Sequence, residues 1–246
     1  MKNRSNYIQT IITTENTMKK LLFITLAAAS FSGLANADNG VYASLKAGAS
    51  DTKIKNMSMQ DWDGYSFTHD SQSKTLTPNL SLAVGYDFST ISDIDARAEL
   101  AYTYVGSKTY HFNQITDQSY VEETNATNKI KSQSIMLNGY YDFKNSSKFT
   151  PYVSAGLGMT RVKGTYYNDY NFEDGEVSDS STKFTWALGL GVAYNVWENV
   201  DLDLSYRYNN AGKFKFKGAP LGESDISNIN YKLQSNEYLL GLRYNF

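Results

Sequence analysis

Hydrophobic residues recur at every second position in eight segments of this chain, and polar connections separate the segments. The clearest segment has its apolar residues at Phe184, Trp186, Leu188, Leu190, Val192 and Tyr194. Because successive side chains of a β-strand point to opposite faces, a period of two predicts a strand whose faces meet different surroundings. The eight segments together predict an all-β fold.

The connections between the eight predicted strands indicate how the strands are arranged. Three connections are short, at 89–93, 144–148 and 197–199, and four are long, at about 51–75, 107–130, 163–182 and 213–234. Short and long connections in turn, between strands of about ten residues, are typical of membrane-spanning barrels. We predict an eight-stranded antiparallel up-and-down transmembrane β-barrel over 38–246, with both termini on one side of the membrane.

Aromatic residues of the apolar face lie near the ends of the predicted strands. Because successive strands run in opposite directions, these residues form two groups at two heights of the barrel. One group lies beside the short turns, at Tyr86, Phe88, Tyr141, Phe143, Tyr194, Tyr244 and Phe246. The other lies beside the long connections, at Tyr102, Tyr104, Phe184, Trp186, Tyr206, Tyr208 and Tyr238. Two such bands match the two interfaces of a bilayer. A soluble β-sandwich, which is the alternative fold, has no reason to sort its outward aromatics in this way.

The amino-terminal region has the pattern of an export signal. Met18, Lys19 and Lys20 precede an apolar run, and small residues follow up to an A-x-A site at 35–37. The apolar run is too short to cross a membrane as a helix, so 18–37 is predicted to be a secretory signal peptide. Residues 1–17 lack this pattern and are interpreted as an over-assigned start, with a disordered leader as the alternative. Export and a barrel together predict the bacterial outer membrane.

Composition excludes several classes of function. The chain has 25 acidic and 23 basic residues, and loss of 1–37 removes Lys2, Arg4, Lys19, Lys20 and Glu15, which leaves a net charge of −5. We therefore expect no nucleic-acid partner. The chain has no cysteine, which excludes disulfides and thiol nucleophiles. The acidic residues of the third long connection match no calcium loop, so no metal and no cofactor are expected.

Charged residues on the polar face of the predicted strands are expected to line the lumen: Lys46, Asp95, Arg97, Glu99, Asp142, Asp201, Asp203, Arg207, Glu237 and Arg243. The interior of an eight-stranded barrel is filled by side chains, and buried charges must pair or meet water. This favours a structural plug of ion pairs. A small, weakly conducting pore is the alternative, because inward residues such as Gly156, Gly158, Gly189 and Gly191 are expected to leave room for water and small ions.

The long connections face the medium in this arrangement and form the expected working surface. Their aromatic residues are candidates for contacting a partner: Trp62, Tyr65, Phe67, Tyr166, Tyr167, Tyr170 and Phe172. Exposed aromatics can anchor a partner, and they can equally pack against one another above the membrane. Lysines at 213, 215 and 217 alternate with phenylalanines, which indicates a strand extension whose lysines contact lipopolysaccharide phosphates or are solvated.

An outer-membrane enzyme acting on lipid or protein is a further alternative, and it requires a base beside a nucleophile. The only histidines are His69 and His111, and both are expected in long connections. A lone histidine in a loop is usually solvated rather than held for catalysis. We therefore expect no enzymatic activity.

Three segments carry a family resemblance: 151–158 is PYVSAGLG, 201–208 is DLDLSYRY, and the chain ends LRYNF. The chain resembles the opacity-type porins, small eight-stranded outer-membrane proteins of Gram-negative bacteria, and more loosely the OmpA and OmpX barrels. The resemblance implies insertion by the outer-membrane assembly machinery through a signal in the last strand, at Tyr238, Leu240, Leu242, Tyr244 and Phe246. It also implies adhesion to a host-cell or matrix receptor through the loops of a non-enzymatic surface protein.

Overall fold

A computed structural model describes residues 40–61, 66–69, 76–114, 124–168, 176–217 and 226–246. These residues form one antiparallel sheet with strands β1 (Val41–Asp61), β2 (Ser66–His69), β3 (Thr77–Asp87), β4 (Ala96–Gln114), β5 (Thr124–Asp142), β6 (Phe149–Asn168), β7 (Glu176–Trp197), β8 (Val200–Lys217) and β9 (Ile226–Asn245). One turn of 3-10 helix, Phe88–Thr90, follows β3. None of the helical segments in these ranges is long and apolar enough to span a membrane. The predicted leader and signal peptide lie outside the described residues.

The sheet closes on itself because β1 and β9 pair with each other. Their antiparallel pairing runs from Tyr42 opposite Asn245 to Asp61 opposite Ile226. The remaining long strands pair with their neighbours in chain order, so eight strands form a closed wall whose edges are satisfied by one another. The predicted eight-stranded up-and-down barrel is confirmed. The second to eighth predicted strands correspond to β3 to β9.

The strands extend further into the predicted long connections than the sequence indicated. β4 continues to Gln114 and β5 begins at Thr124, and the short β2 lies inside the predicted connection 51–75, where it pairs with the outer part of β1. The predicted limits of all four long connections are therefore too wide. The reason is that the outward residues of the outer segments are mostly polar, so the outward apolar period that marks a strand in lipid ends at the outer girdle. Ladder hydrogen bonding continues without that contrast.

Side chains divide between the two faces of the wall as the alternation predicts. Leu188, Leu190 and Leu240 point outward and are more than half exposed, whereas Glu99 and Thr103 point inward and are buried. An apolar outside and a polar inside are the arrangement of a barrel in lipid.

Outward aromatic rings form two bands around the wall, as predicted. In the band beside the short turns, which we call the inner girdle, the rings of Tyr141 and Phe143 meet edge to face at 5.3 Å. In the band beside the long connections, the outer girdle, Trp186 packs against Tyr208 at 5.6 Å. The rings of tyrosine and tryptophan, which are apolar but carry one polar atom, favour the interface between lipid and water, so the girdles mark the two membrane boundaries.

A bulge in β8 sets which side chains face outward beyond the outer girdle. The pairing with β9 shifts between Asn210 and Lys213, and Gly212 within the shift has a φ of 72°, a conformation that glycine adopts at little cost. After the bulge, Phe214 points inward and is buried, while Lys213 and Lys215 point outward and are exposed. The predicted strand extension at this site is therefore present.

Candidate functional site

Nine charged residues that the sequence placed in the lumen lie inside the barrel, and eight of them form four ion pairs. The nitrogen–oxygen distances are 2.9 Å for Lys46–Asp203, 2.6 Å for Arg97–Asp142, 2.5 Å for Arg207–Glu237 and 2.8 Å for Arg243–Asp201. The ninth residue is Glu99. We call these nine residues, together with Tyr42, Tyr140 and Tyr152, the interior network.

Arg97 is the centre of the network on the inner side. Its guanidinium donates two hydrogen bonds to Asp142, at 2.6 Å and 2.8 Å. The same group lies 4.5 Å from the ring centre of Tyr140, 5.4 Å from that of Tyr152 and 5.5 Å from that of Tyr42. A planar cation between aromatic faces is stabilised by the ring quadrupoles as well as by its carboxylate. These contacts fill the lumen with side chains at this height.

Glu99 is the one carboxylate of the network without an ion-pair partner within the described residues. The hydroxyl of Tyr140 donates to one of its oxygens at 2.8 Å, and that of Ser44 donates to the other at 3.3 Å. The network thus holds five acids against four bases, and hydroxyl donors satisfy the surplus charge. A tyrosine hydroxyl also stabilises Asp203, which accepts a hydrogen bond from Tyr152 at 2.8 Å in addition to its ion pair with Lys46.

The inward glycines do not leave the open room that the sequence suggested, because side chains of adjacent strands occupy the space above them. A Cβ added to Gly191 would lie 2.5 Å from the ring of Tyr152, and one added to Gly156 would lie 2.1 Å from the amide oxygen of Asn138. Gly158 and Gly189 are approached in the same way, by Met136 and Ser154. The expectation of open space directly above these glycines is therefore corrected. They provide clearance for large neighbours, which is one reason for glycine inside a strand.

A second, apolar layer fills the barrel beyond the outer girdle. We call it the outer apolar layer; its members point inward and are at most 5% exposed: Ile130, Val162, Phe214, Tyr231 and Leu233. The rings of Phe214 and Tyr231 are stacked with centres 6.0 Å apart. The alternation of Phe214 with two lysines is the one sequence signal of this layer that we interpreted as a strand extension.

Lys108 lies at the height of the outer apolar layer, opposite Ile130, just after a shift in the register of β4 with β5 between Val105 and Lys108. Its ammonium donates a hydrogen bond to the carbonyl oxygen of Thr52 at 3.1 Å. Burial lowers the pKa of Lys108, and the negative charge of Asp51 opposes that effect. The backbone of β1 therefore holds the ammonium of Lys108 at the outer end of the barrel.

Asp95 does not belong to the interior network, although the sequence placed it in the lumen. It precedes β4, its side chain is 39% exposed, and its carboxylate lies 3.3 Å from the ammonium of Lys144 in the next short turn. The chain has not yet entered the sheet at Asp95, so the alternation of faces does not apply to this residue.

The aromatic candidates for partner contact lie largely beyond what the structure describes. Trp62, Tyr65, Tyr170 and Phe172 are outside the described residues, and for Phe67, Tyr166 and Tyr167 the description extends to their strands, β2 and β6. The two histidines were expected in loops, but His69 lies in β2 and His111 lies in β4. Their loop placement is corrected for the same reason as the loop limits, since polar strand extensions resemble loops in sequence.

Acidic and imidazole side chains of the described ranges do not form a group of three or more that could hold a metal ion. The interior carboxylates are engaged by arginine, lysine and hydroxyl donors instead. The arrangement therefore places paired charges and aromatic rings across the interior of the barrel, below the connections at the outer end.

Comparison with known proteins places this architecture among outer-membrane proteins. The chain is similar to outer membrane protein PagN of Salmonella typhimurium, at 32% identity over 227 residues that cover 88% of this chain and 94% of the relative. It is also 26% identical over 236 residues to a Rickettsia felis protein provisionally named an adhesin, covering 92% of this chain and 99% of the relative. A solved major outer membrane protein from Thermus thermophilus superposes with a TM-score of 0.52 at 12% identity, covering 84% and 99% of the two chains, and supports the fold alone.

A family model described as the outer membrane protein beta-barrel domain matches residues 21–246. This match and the relatives confirm the resemblance to small outer-membrane barrels of the opacity and OmpA type. They also confirm the bacterial outer membrane as the location. The chain therefore belongs to the outer membrane protein beta-barrel domain family.

Proposed function

We propose that this barrel is a non-enzymatic surface adhesin that binds a host-cell or matrix receptor through its outer connections. The proposal is supported by the outer-membrane family, by the relative provisionally named an adhesin, and by an interior that is filled by ion pairs and rings. A filled lumen leaves the outer surface as the part of the protein that meets large molecules. Many proteins bind their partners in this way, through loops that are held by a rigid scaffold.

The projection of the strands beyond the membrane is the observation that carries this proposal. β4 continues ten residues past Tyr104 of the outer girdle to Gln114, and β7 begins at Glu176, eight residues before Phe184. At about 3.3 Å per residue and a tilt of about 40°, these extensions raise the connections about 20 Å above the membrane boundary. The hydrogen-bonded wall thus presents the connections beyond the lipid headgroups, where a receptor on another surface can reach them.

Replacement of aromatic residues in the connections tests the proposal. Bacteria that display the full chain with Trp62→Ala, Tyr65→Ala, Tyr170→Ala and Phe172→Ala are expected to lose most of their binding to epithelial cells. Trp197→Ala provides a matched control, because Trp197 is an exposed aromatic at the opposite end of the barrel. Heat-dependent gel mobility reports that each barrel is folded. Unchanged cell binding by the folded connection variant would contradict the proposal.

A small pore is the second candidate function, and the nine charges inside the barrel favour it. Conduction requires a continuous water path, whereas Arg97 and three tyrosine rings occupy the lumen at one height. We therefore rank adhesion above conduction. Recordings on the refolded protein in planar bilayers separate the two functions, because a stable, charge-selective current through the unmodified chain would favour the pore.

An enzyme that modifies membrane lipid is the weakest candidate. His69 and His111 are the available imidazole bases, and both lie in strand extensions. Cells expressing His69→Gln and His111→Gln are expected to have the same lipid A composition by mass spectrometry as cells expressing the unmodified chain. A change in lipid A that depends on either histidine would favour the enzyme.

We also propose that β9 carries the signal for the outer-membrane assembly machinery. Its outward residues Tyr238, Leu240, Leu242 and Tyr244 are about half exposed on the lipid face, and Phe246 continues their alternation. Removal of Phe246 is expected to lower the amount of barrel assembled in cells, because the signal is read before folding. The same variant is expected to fold from urea into lipid vesicles, which distinguishes a lost signal from a lost strand.

A further inference from the structure

A band of outward basic side chains encircles much of the barrel just beyond the outer girdle. We call it the basic belt, and its members are Lys53, Lys55, Lys129, Lys131, Arg161, Lys163, Lys213, Lys215 and Lys232. Eight of the nine are exposed, and Lys232 is half-buried. Inward residues of the outer apolar layer alternate with them along β5, β6, β8 and β9, so these side chains cannot turn into the barrel.

The strand register brings members of the belt directly beside one another. Lys232 of β9 lies opposite Lys55 of β1 on one side and opposite Lys213 of β8 on the other. A second cluster has Lys131 of β5 opposite Lys163 of β6. Residues directly opposite in an antiparallel pair have Cβ atoms about 5 Å apart, and like charges in that position repel one another. We therefore expect an anion to lie between the lysines of each cluster.

Few acidic side chains of the described residues are placed to neutralise the belt. Asp51 lies 3.7 Å from Lys53, and its outward carboxylate is at the edge of the first cluster. Among the described residues, no carboxylate lies within ion-pair distance of Lys55, Lys131, Lys163, Lys213 or Lys232. The described carboxylates therefore do not neutralise the two clusters.

The height of the belt points to the headgroup region of the outer leaflet. Met159 lies opposite Phe184 of the outer girdle, and Arg161 and Lys163 follow two and four residues further out. In β9, Lys232 lies six residues beyond Tyr238. At about 3.3 Å per residue with a tilt of about 40°, the belt lies about 5–15 Å above the aromatic boundary. Lysine side chains at such a boundary extend their ammonium groups toward anionic headgroups.

We propose that the two lysine clusters are binding sites for the phosphate groups of lipopolysaccharide in the outer leaflet. Each phosphate lies between opposed lysines and removes the repulsion that their register imposes. The ligand remains in the plane of the membrane, because its acyl chains pack against the apolar outer wall below the belt. This proposal is independent of adhesion, since it concerns the wall rather than the connections.

Native mass spectrometry of the full chain, folded in phosphatidylcholine vesicles that contain lipid A, tests the proposal. The unmodified protein is expected to retain bisphosphorylated lipid A and to release lipid A from which both phosphates have been removed. Lys131→Gln with Lys163→Gln is expected to lower retention about tenfold, because each lysine at a membrane surface contributes substantially to binding an anionic lipid. The arginine versions of both residues are expected to restore retention.

Lys144→Gln with Lys148→Gln is the matched control, because it removes two exposed lysines from a short turn at the opposite end. Equal retention of the phosphorylated and dephosphorylated lipids by the unmodified protein would overturn the proposal, and this comparison needs no variant to fold. Equal loss in the control and in the belt variant would also overturn it. Displacement of lipid A by phosphatidylglycerol at equal concentration would overturn it as well, because it would show a general anion surface instead of a lipopolysaccharide site.

Discussion

Separating the ion pair of Arg97 and Asp142 is expected to cost the barrel much of its stability. Their side chains are 3% and 4% exposed and share two short hydrogen bonds. Removing one partner of a buried pair leaves an uncompensated charge and costs about 3–5 kcal/mol. We therefore expect Arg97→Met and Asp142→Leu each to lower the free energy of unfolding by about that amount.

The double variant is expected to be more stable than either single variant, because it buries no unpaired charge. It still loses the contacts of the guanidinium with three tyrosine rings, which contribute about 0.5–2 kcal/mol. Urea unfolding from phosphatidylcholine vesicles, followed by tryptophan fluorescence, gives the four free energies of a double-mutant cycle. The expected coupling is at least about 2 kcal/mol.

Lys144→Met and Asp95→Leu form the control cycle, because that pair is about 40% exposed and lies outside the lumen. An exposed pair contributes about 0–1 kcal/mol, so its coupling is expected to be small. Additive effects of Arg97→Met and Asp142→Leu, or effects no larger than those of the control, would refute the view that the interior network stabilises the barrel.

Three further predictions concern the glycine contacts, the lipid face and the lumen. Gly85→Ala is expected to destabilise the barrel by about 1–3 kcal/mol in the same urea assay, because the added Cβ would lie 2.2 Å from the ring of Tyr42. Gly139→Ala is the control: no described atom lies nearer than 4.0 Å to its added Cβ, so the free energy of unfolding should change by less than about 0.5 kcal/mol. Leu240→Arg places a charge in hydrocarbon and is expected to cost about 2–4 kcal/mol, so a neutral result would contradict the outward position of this residue. Tyr152→Ala is expected to increase the current through a planar bilayer relative to the unmodified chain, and equal currents would show that its ring does not obstruct the lumen.

The sequence predicted the wall of the barrel better than its interior contacts, for a physical reason. Lipid and lumen differ strongly in polarity, so alternation alone assigns Leu240 to one face and Glu99 to the other. The pairing of charges depends instead on how strands distant in sequence are aligned. Lys46 and Asp203 are 157 residues apart, and their contact follows from the register of β1 with β9 and of β9 with β8.

The outer part of the barrel was harder to predict because water lies outside the wall there. The described outward residues of the outer segments, such as Lys131 and Lys163, are polar, so the sequence had no outward hydrophobic period that distinguished these segments from loops. Phe214 between two exposed lysines was the exception, and it correctly indicated an extension. The inward tyrosines were visible in the sequence as bulky residues, but their position above Gly85 and Gly191 required the register.

The outer apolar layer lies between a part of the barrel whose sequence must be retained and a part whose sequence can change. Its buried side chains lie between the connections and the ion pairs, so we expect insertions and deletions beyond it to leave the ion pairs in place. Loops at a cell surface vary more among homologues than the scaffold that carries them. We therefore expect variants of this protein from different strains to differ most between 115 and 123 and between 169 and 175, and to retain Val162 and Phe214 with little change.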